Sequence, residues 1–237
     1  KMKVRVRFAP SPTGPLHVGG VRTALYNYLF AKRNNGEFIL RIEDTDVMRS
    51  VGGAENHIIE SLKWLNISVD EGPVEGGLFG PYRQSDRNNL YIKHIGYLVA
   101  QKKAYLAFDS NDDLKRMRSV QERRGEGFVY NWRNRKNFKN SLSMSKKDVE
   151  KELSLGTKHV VRFKSYDDGD EKTITVNDIV RGQITFDKSL ESDKILLKSD
   201  KTPTYHLANV VDDRLMEISH VIRGEEWLPS LGFHCQL

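Results

Sequence analysis

The stretch from Phe8 to Gly20, FAPSPTGPLHVGG, limits the possible folds more than any other part of the chain. Before it, Val4, Val6 and Phe8 alternate with Arg5 and Arg7, the pattern of a strand with one apolar face. After it, Val21, Leu25 and Tyr28, with Ala24 and Leu29 beside them, have the spacing of a buried helix face that stops at Asn34-Asn35-Gly36. The order is strand, Gly/Pro loop, helix. A helix start carries unpaired N–H groups and partial positive charge, and Gly14, Gly19 and Gly20 would let a phosphate approach the backbone. That suits a nucleoside triphosphate. The same residues also suit a plain turn capped by His17, and the spacing is neither the Walker pattern nor G-x-G-x-x-G.

Further along, Phe38, Leu40 and Ile42 alternate with Ile39, Arg41 and Glu43, giving a second strand that ends in Asp44-Thr45-Asp46. Its carboxyl end should lie near the first loop, where ligands of doubly wound sheets bind. Ile58, Ile59, Leu62 and Leu65 mark an amphipathic helix, and Leu90, Ile95, Leu98 and Val99 the inner side of another. From about Tyr105 the character changes. Basic, Asn-rich sequence gives way to short strands at 159–164, 173–176, 183–186 and 195–197, with turns at Asp167-Asp168-Gly169-Asp170 and Gly182. We therefore divide the chain into 1–104, the first half of a nucleotide-binding domain; 105–198, an insertion; and 199–237, the start of the second half. In the last part, 202–209 leads into a helix and Val221-Ile222-Arg223 into a strand.

A 38% hydrophobic and 30% charged composition is that of a globular protein. No apolar run approaches the roughly 18 residues of a membrane span, and no signal-peptide pattern precedes the first strand, so a cytoplasmic, membrane-free protein is expected, although an organellar form with its transit peptide removed would look alike; a monomer is expected separately. The single Cys235 excludes internal disulfides and a cysteine cluster for zinc. The net charge of +6 is uneven: residues 115–139 hold nine Lys/Arg against Glu122 and Glu126. Interleaved with Phe128, Tyr130, Trp132 and Phe138, these charges suit a nucleic-acid backbone and a few stacked bases, or else a solvated basic loop.

RFAPSPTGPLHVGG resembles the first signature of the class I aminoacyl-tRNA synthetases, in the form used by glutamyl-tRNA synthetases, with His17-Val18-Gly19-Gly20 in place of His-Ile-Gly-His. RIEDTD (41–46), GPYRQSDR (80–87), LLKSDKTPTYHLANVVDD (196–213) and VIRGEEW (221–227) match in the same order, so the resemblance spans essentially the whole chain. It implies an α/β fold: a Rossmann-like doubly wound parallel sheet, interrupted by an α+β insertion that grips the tRNA acceptor end. It also implies an ATP-dependent ligase that makes glutamyl-adenylate and passes glutamate to tRNA, with Mg2+ accompanying ATP. Some relatives hold zinc where this chain reads Tyr105-Leu106-Ala107-Phe108; without thiols there, no zinc is expected.

Carried over residue by residue, the resemblance gives His17, Gly19 and Gly20 as catalytic, and with Thr13, Glu226 and Trp227 as the ATP site. Arg7 would pair with the glutamate side-chain carboxylate, assisted by Arg223, and Glu43 with its ammonium; Ala9, Ser11, Tyr205 and Asn209 would complete the wall. A glutamine substrate would then leave an arginine charge poorly compensated. Asp46, Arg49 and the basic segment would face tRNA. Ser143-Met144-Ser145-Lys146-Lys147 resembles the family's second signature, a lysine loop on the ATP phosphates, but in the wrong place. Ser145 is better read as an N-cap. The true loop and the anticodon-binding helices are missing, which implies a fragment, one that alone turns over poorly or not at all. Two other readings remain: a paralogue that glutamylates a modified tRNA base (glutamyl-queuosine type), and an ATP-, glutamate- or RNA-binding piece without turnover. A dinucleotide oxidoreductase is disfavoured by the absent G-x-G-x-x-G.

Overall fold

The computed structural model describes residues 3–46, 49–123, 125 and 127–237, and the chain divides into two compact units. The first joins Lys1–Tyr91 to Ala208–Leu228, and the second Ile92–Leu207 to Pro229–Leu237.

In the first unit, β1 (Arg5–Phe8) and β2 (Glu37–Leu40) pair in parallel, Arg5 opposite Glu37 and Phe8 opposite Leu40. Parallel neighbours need a crossover, which α1 (Val18–Arg33) supplies. Single parallel bridges add Glu71 beside Ile39 and Arg83 beside Ile42. Val6, Phe8, Phe38, Leu40 and Ile42 pack with Ala24 and Ala31 of α1 and with Ile58 and Leu62 of α2 (Ala54–Trp64).

Three expectations change here. The buried residues of α1 are Ala24, Asn27 and Ala31, while Leu25 and Leu29 are 42% and 54% exposed. Small side chains let the helix sit close to the strands, so the leucine stripe is not the inner face. On β1, Arg5 and Arg7 are as buried as the apolar residues between them. Arg5 pairs with Glu37 and with Glu71 at 2.8 Å, and Arg7 pairs with Asp213. Alternation shows that one face of the strand is polar; buried carboxylates keep it dry. Finally, Val221–Arg223 forms no strand. The Ser219 and His220 N–H groups converge on one acceptor, the Arg5 carbonyl, and the Ile222 carbonyl accepts from the Asn27 side chain, so no ladder builds.

The second unit holds a three-stranded antiparallel sheet of β3 (Ala104–Ala107), β4 (Val160–Phe163) and β7 (Ile195–Leu197), with β4 in the middle. A separate hairpin pairs β5 (Thr173–Asp178) with β6 (Gly182–Asp187). These are the short strands expected in the insertion. Between β3 and β4, α4 (Asn111–Glu122) has no counterpart in the sequence reading; a capping box, Ser110 with Asp113, starts it. The next helix, α5 (Lys146–Ser154), begins at Ser145, whose side chain accepts from the Asp148 N–H. The lysine-rich decoy is an N-cap.

The basic, aromatic segment is also not what its composition suggested. Tyr130 and Phe138 are buried and stacked on each other, centroids 4.3 Å apart, in a core with Tyr105 and Ala107. The Trp132 indole donates to the Ser189 carbonyl at 3.0 Å. Arg135, also buried, lies against Asp193, which accepts from Tyr105 at 2.6 Å and Ser165 at 2.8 Å. Tyr130 and Phe138 are core residues, not open to a base, while Phe128 and Trp132 are half-buried. Arg123, Arg133 and Lys136 do remain exposed.

Candidate active site

The loop after β1 runs into α1, and His17 caps that helix: its Nδ1 accepts from the Gly19 N–H at 3.1 Å. With Nδ1 an acceptor, the neutral ring carries its proton on Nε2. His17 is exposed. A Cβ at Gly19 would lie 2.8 Å from His17 Cε1, and one at Gly20 would lie 2.6 Å from Leu16 Cδ1. A side chain at either glycine would thus press on the capping ring or on Leu16. Around Gly14 nothing lies within 4 Å of a Cβ position. Two bonds hold the loop to the chain that follows β2: the Pro10 carbonyl accepts from Glu43 N–H at 3.0 Å, and the Pro12 carbonyl from Val51 N–H at 2.9 Å. Ser11 and Thr13 between them are exposed, with Thr13 N–H turned back on the Ser11 carbonyl, and Ala9 is half-buried.

Next to this loop lies a chain of buried charges. Arg7 Nε and Nη2 meet the two oxygens of Asp213 at 2.9 and 3.1 Å. Asp213 also accepts from Arg41 Nη1 at 2.7 Å, and Arg41 Nη2 reaches Glu43 at 3.1 Å. Asn209, on α6 (Tyr205–Leu215), donates to the same Glu43 oxygen at 3.1 Å. Burial works against the charge on Asp213, but Arg7 and Arg41 outweigh it and hold the carboxyl down at about 2. At Glu43 the balance goes the other way. Burial pushes its carboxyl above the usual carboxylate range, and Arg41, Arg7 and Asn209 offset only part of that. Burial opposes the charge on Arg41 as well, yet Asp213, Glu43 and Asp212 raise its pKa further, so it stays a cation.

Arg7 is therefore not a cation awaiting a partner, as the argument against a glutamine substrate assumed. Asp213 already compensates it.

The remaining candidates lie in two places. In the first unit, Arg223 is half-buried, and Trp227 N–H closes on the Gly224 carbonyl at 3.2 Å in the turn Glu225–Ser230. The Glu226 carboxylate curls over Gly224, where a Cβ would lie 2.2 Å from its oxygens. Asp46 and Arg49 form an exposed ion pair at 2.7 Å. Tyr205 falls in the second unit.

A family described as tRNA synthetases class I (E and Q), catalytic domain, matches residues 3–237. The chain belongs to this class I synthetase family. It is 56% identical over 235 residues to a glutamate–tRNA ligase of Christiangramia forsetii and 54% identical to one of Flavobacterium johnsoniae, covering 99% of this chain and 46% of each relative. Among solved structures, a glutamate tRNA ligase from Elizabethkingia meningosepticum in complex with its amino acid superposes with a TM-score of 0.95 at 50% identity, covering 99% of this chain and 46% of that one. The enzyme from Elizabethkingia anophelis gives 0.94, again at 50% identity. The fold is that of the class I synthetase catalytic domain, and the chain spans about half the length of the relatives it matches.

Reading this synthetase chain by its motifs missed three residues of the cluster. Arg41 and Asp213 tie Arg7 to Glu43, and Asp212 accepts from Arg87 at 2.7 Å, Tyr91 at 2.8 Å and Gln84 at 2.9 Å. The available signal was Asp212-Asp213 one helical turn after Asn209, in a chain whose arginines at 5, 7 and 41 each sit between apolar residues. Buried cations need buried anions.

Proposed function

We propose that the chain is the catalytic part of a glutamate–tRNA ligase. Its substrates are L-glutamate, ATP and the 3′ end of a glutamate-accepting tRNA, and its intermediate is glutamyl-adenylate. One observation carries the reading: a buried chain of side chains joins a guanidinium, Arg7, to a carboxylate with one oxygen uncommitted, Glu43. This is a fixed pair of opposite charges, suited to an amino acid with a second carboxylate. High identity over the whole chain to ligases that act on glutamate supports it.

In this reading the glutamate ammonium lies at Glu43 and its side-chain carboxylate at Arg7, with Arg223, Ala9, Ser11 and Asn209 around it. The α-carboxylate attacks the α-phosphate of ATP and pyrophosphate leaves; a ribose hydroxyl of the terminal adenosine then attacks the activated carbonyl, losing its proton as the carbonyl–phosphate bond breaks and AMP leaves. Neither step uses a covalent enzyme nucleophile, so positioning and charge stabilisation dominate. His17 Nε2–H donates to phosphate oxygens as charge builds, beside the Gly20 N–H and the positive end of α1, while the Gly19 N–H stays on His17 Nδ1 and holds the ring. Thr13, Glu226 and Trp227 border ATP. Among the described residues no three His, Cys, Asp or Glu side chains gather to hold an ion, so Mg2+ would arrive with the triphosphate and neutralise its charge. Residues 105–198, with Asp46 and Arg49, would hold the tRNA acceptor end.

ATP–pyrophosphate exchange with glutamate, with and without tRNA, tests this on the chain and on its full-length form. Exchange by the full-length form is expected. No glutamate-dependent exchange by either form, with tRNA present and protein folded, would overturn the reading.

A further inference from the structure

The two neighbouring aspartates of α6 hold different partners. Asp212, fully buried, takes Arg87, Tyr91 and Gln84, which lie in the chain from Gln84 to α3 (Asn88–Ala100). Asp213 takes Arg7 and Arg41, the two arginines that run to the proposed amino-acid site. Its bond to Arg7 is side-on: both carboxylate oxygens meet the Nε and Nη2 edge of one planar guanidinium. A guanidinium has two usable forks. With the side-on fork held, the end-on fork of Nη1 and the second Nη2 hydrogen is left, and its direction is fixed by the first.

We propose that Asp213 is a positioning residue for amino-acid recognition, aiming the end-on fork of Arg7 at the side-chain carboxylate of bound glutamate. The inference rests on the reading that this site takes glutamate. Whereas Asp212 reaches Arg41 only at 4.0 Å, two features give Asp213 that role. Its two-point contact removes the freedom of the Arg7 plane to rotate, which a single hydrogen bond would not. Through Arg41 it is also tied to Glu43, so the group proposed to read the carboxylate and the group proposed to read the ammonium are held at a fixed separation by three consecutive ion pairs. A substrate that must satisfy both ends at once is then measured for length as well as charge.

The test is glutamate-dependent ATP–pyrophosphate exchange by the full-length protein carrying Asp213→Asn, with Asp212→Asn as the comparison. The asparagine can accept from Nε but turns an N–H toward Nη2, so the two-point grip is lost. The expected result is a glutamate KM raised about tenfold or more, as for losing a charge-assisted hydrogen bond, with the ATP KM unchanged and kcat at saturating glutamate little altered. Asp212→Asn, whose carboxylate lies 4.0 Å from Arg41 Nε, should lower the melting temperature and raise the glutamate KM clearly less than Asp213→Asn does. A folded Asp213→Asn protein whose glutamate KM stays within about twofold of the parent overturns the inference, as does an equal rise in both KM values, since general loosening would not single out one substrate. If Asp213→Asn does not fold, Asp213→Glu decides: it keeps the charge but displaces it by one methylene, so the glutamate KM should again rise alone, and an unchanged value refutes the proposal. Absence of exchange by the unmodified full-length protein would instead remove the glutamate-ligase reading itself.

Discussion

His17 has two jobs in this account, and they can be separated. As the N-cap of α1 its Nδ1 accepts the Gly19 N–H at 3.1 Å, one of the unpaired donors that open every helix. As a proposed catalytic donor it uses Nε2, the other nitrogen. His17→Ala removes both, and His17→Asn removes the second while keeping an oxygen that can cap. Losing the cap at an exposed helix start costs about 1 kcal/mol of stability. Losing one donor to developing transition-state charge costs about 3 kcal/mol of activation free energy, roughly a hundredfold in kcat. Both variants should therefore lose about the same factor in kcat of glutamate-dependent exchange by the full-length protein, with KM for glutamate close to the parent. Only His17→Ala should also lower the midpoint of urea unfolding. If His17→Asn keeps kcat within about threefold of the parent, the ring is a cap and nothing more, and the reasoning from its Nε2 proton fails.

Three further outcomes follow from the same geometry. Gly19→Ala would place a Cβ 2.8 Å from His17 Cε1 and 3.0 Å from Nδ1, so the ring must leave its cap; kcat should fall while the melting temperature falls little, since alanine suits a helix better than glycine. Because burial raises the Glu43 carboxyl above the ordinary range, the group loses its charge at a higher pH than a free glutamate; KM for glutamate should climb as pH falls through that raised pKa, an acid limb that Glu43→Gln removes, and a pH profile flat down to the usual carboxylate range would contradict it. Asp193→Ala leaves Arg135 buried without the carboxylate now 2.9 Å away and orphans the Tyr105 hydroxyl; it should destabilise the second unit by about 3–5 kcal/mol in urea unfolding, and pairing it with Arg135→Met should recover much of that.

What the sequence showed, and what it hid, divides by the range of the forces involved. The caps at Ser145 and Ser110 rest on contacts within a few residues, and the strands announce themselves by alternation within each strand even where their partners are distant, as Arg5 is from Glu37 and Ala104 from Phe163; those signals were present, although the one at Ser110 went unread. The aromatics between 128 and 138 gave the wrong picture because their neighbours are basic and polar, while what buries them, Tyr105 and Ala107, arrives from more than twenty residues away. The exposed leucines of α1 misled for the opposite reason. Their spacing was right for a buried face, but Ala24 and Ala31 allow closer packing against β1 and β2, and nothing local ranks one stripe over the other.

The arginines of β1 carry that point furthest. Arg5 and Arg7 read as the wet side of a strand because their partners, Glu71 and Asp213, lie 66 and 206 residues on. Once those partners are in place, the polar side of β1 is an interior surface, and its charges cannot be screened by water. Each must then be met by an opposite charge: Asp213 meets Arg7 on one fork, and in the proposed reading the other fork is left for the substrate carboxylate. Selectivity at such a site comes from where the unsatisfied fork points. On that reading the residue holding Arg7 would then matter to recognition along with Arg7 itself, although no motif marks it.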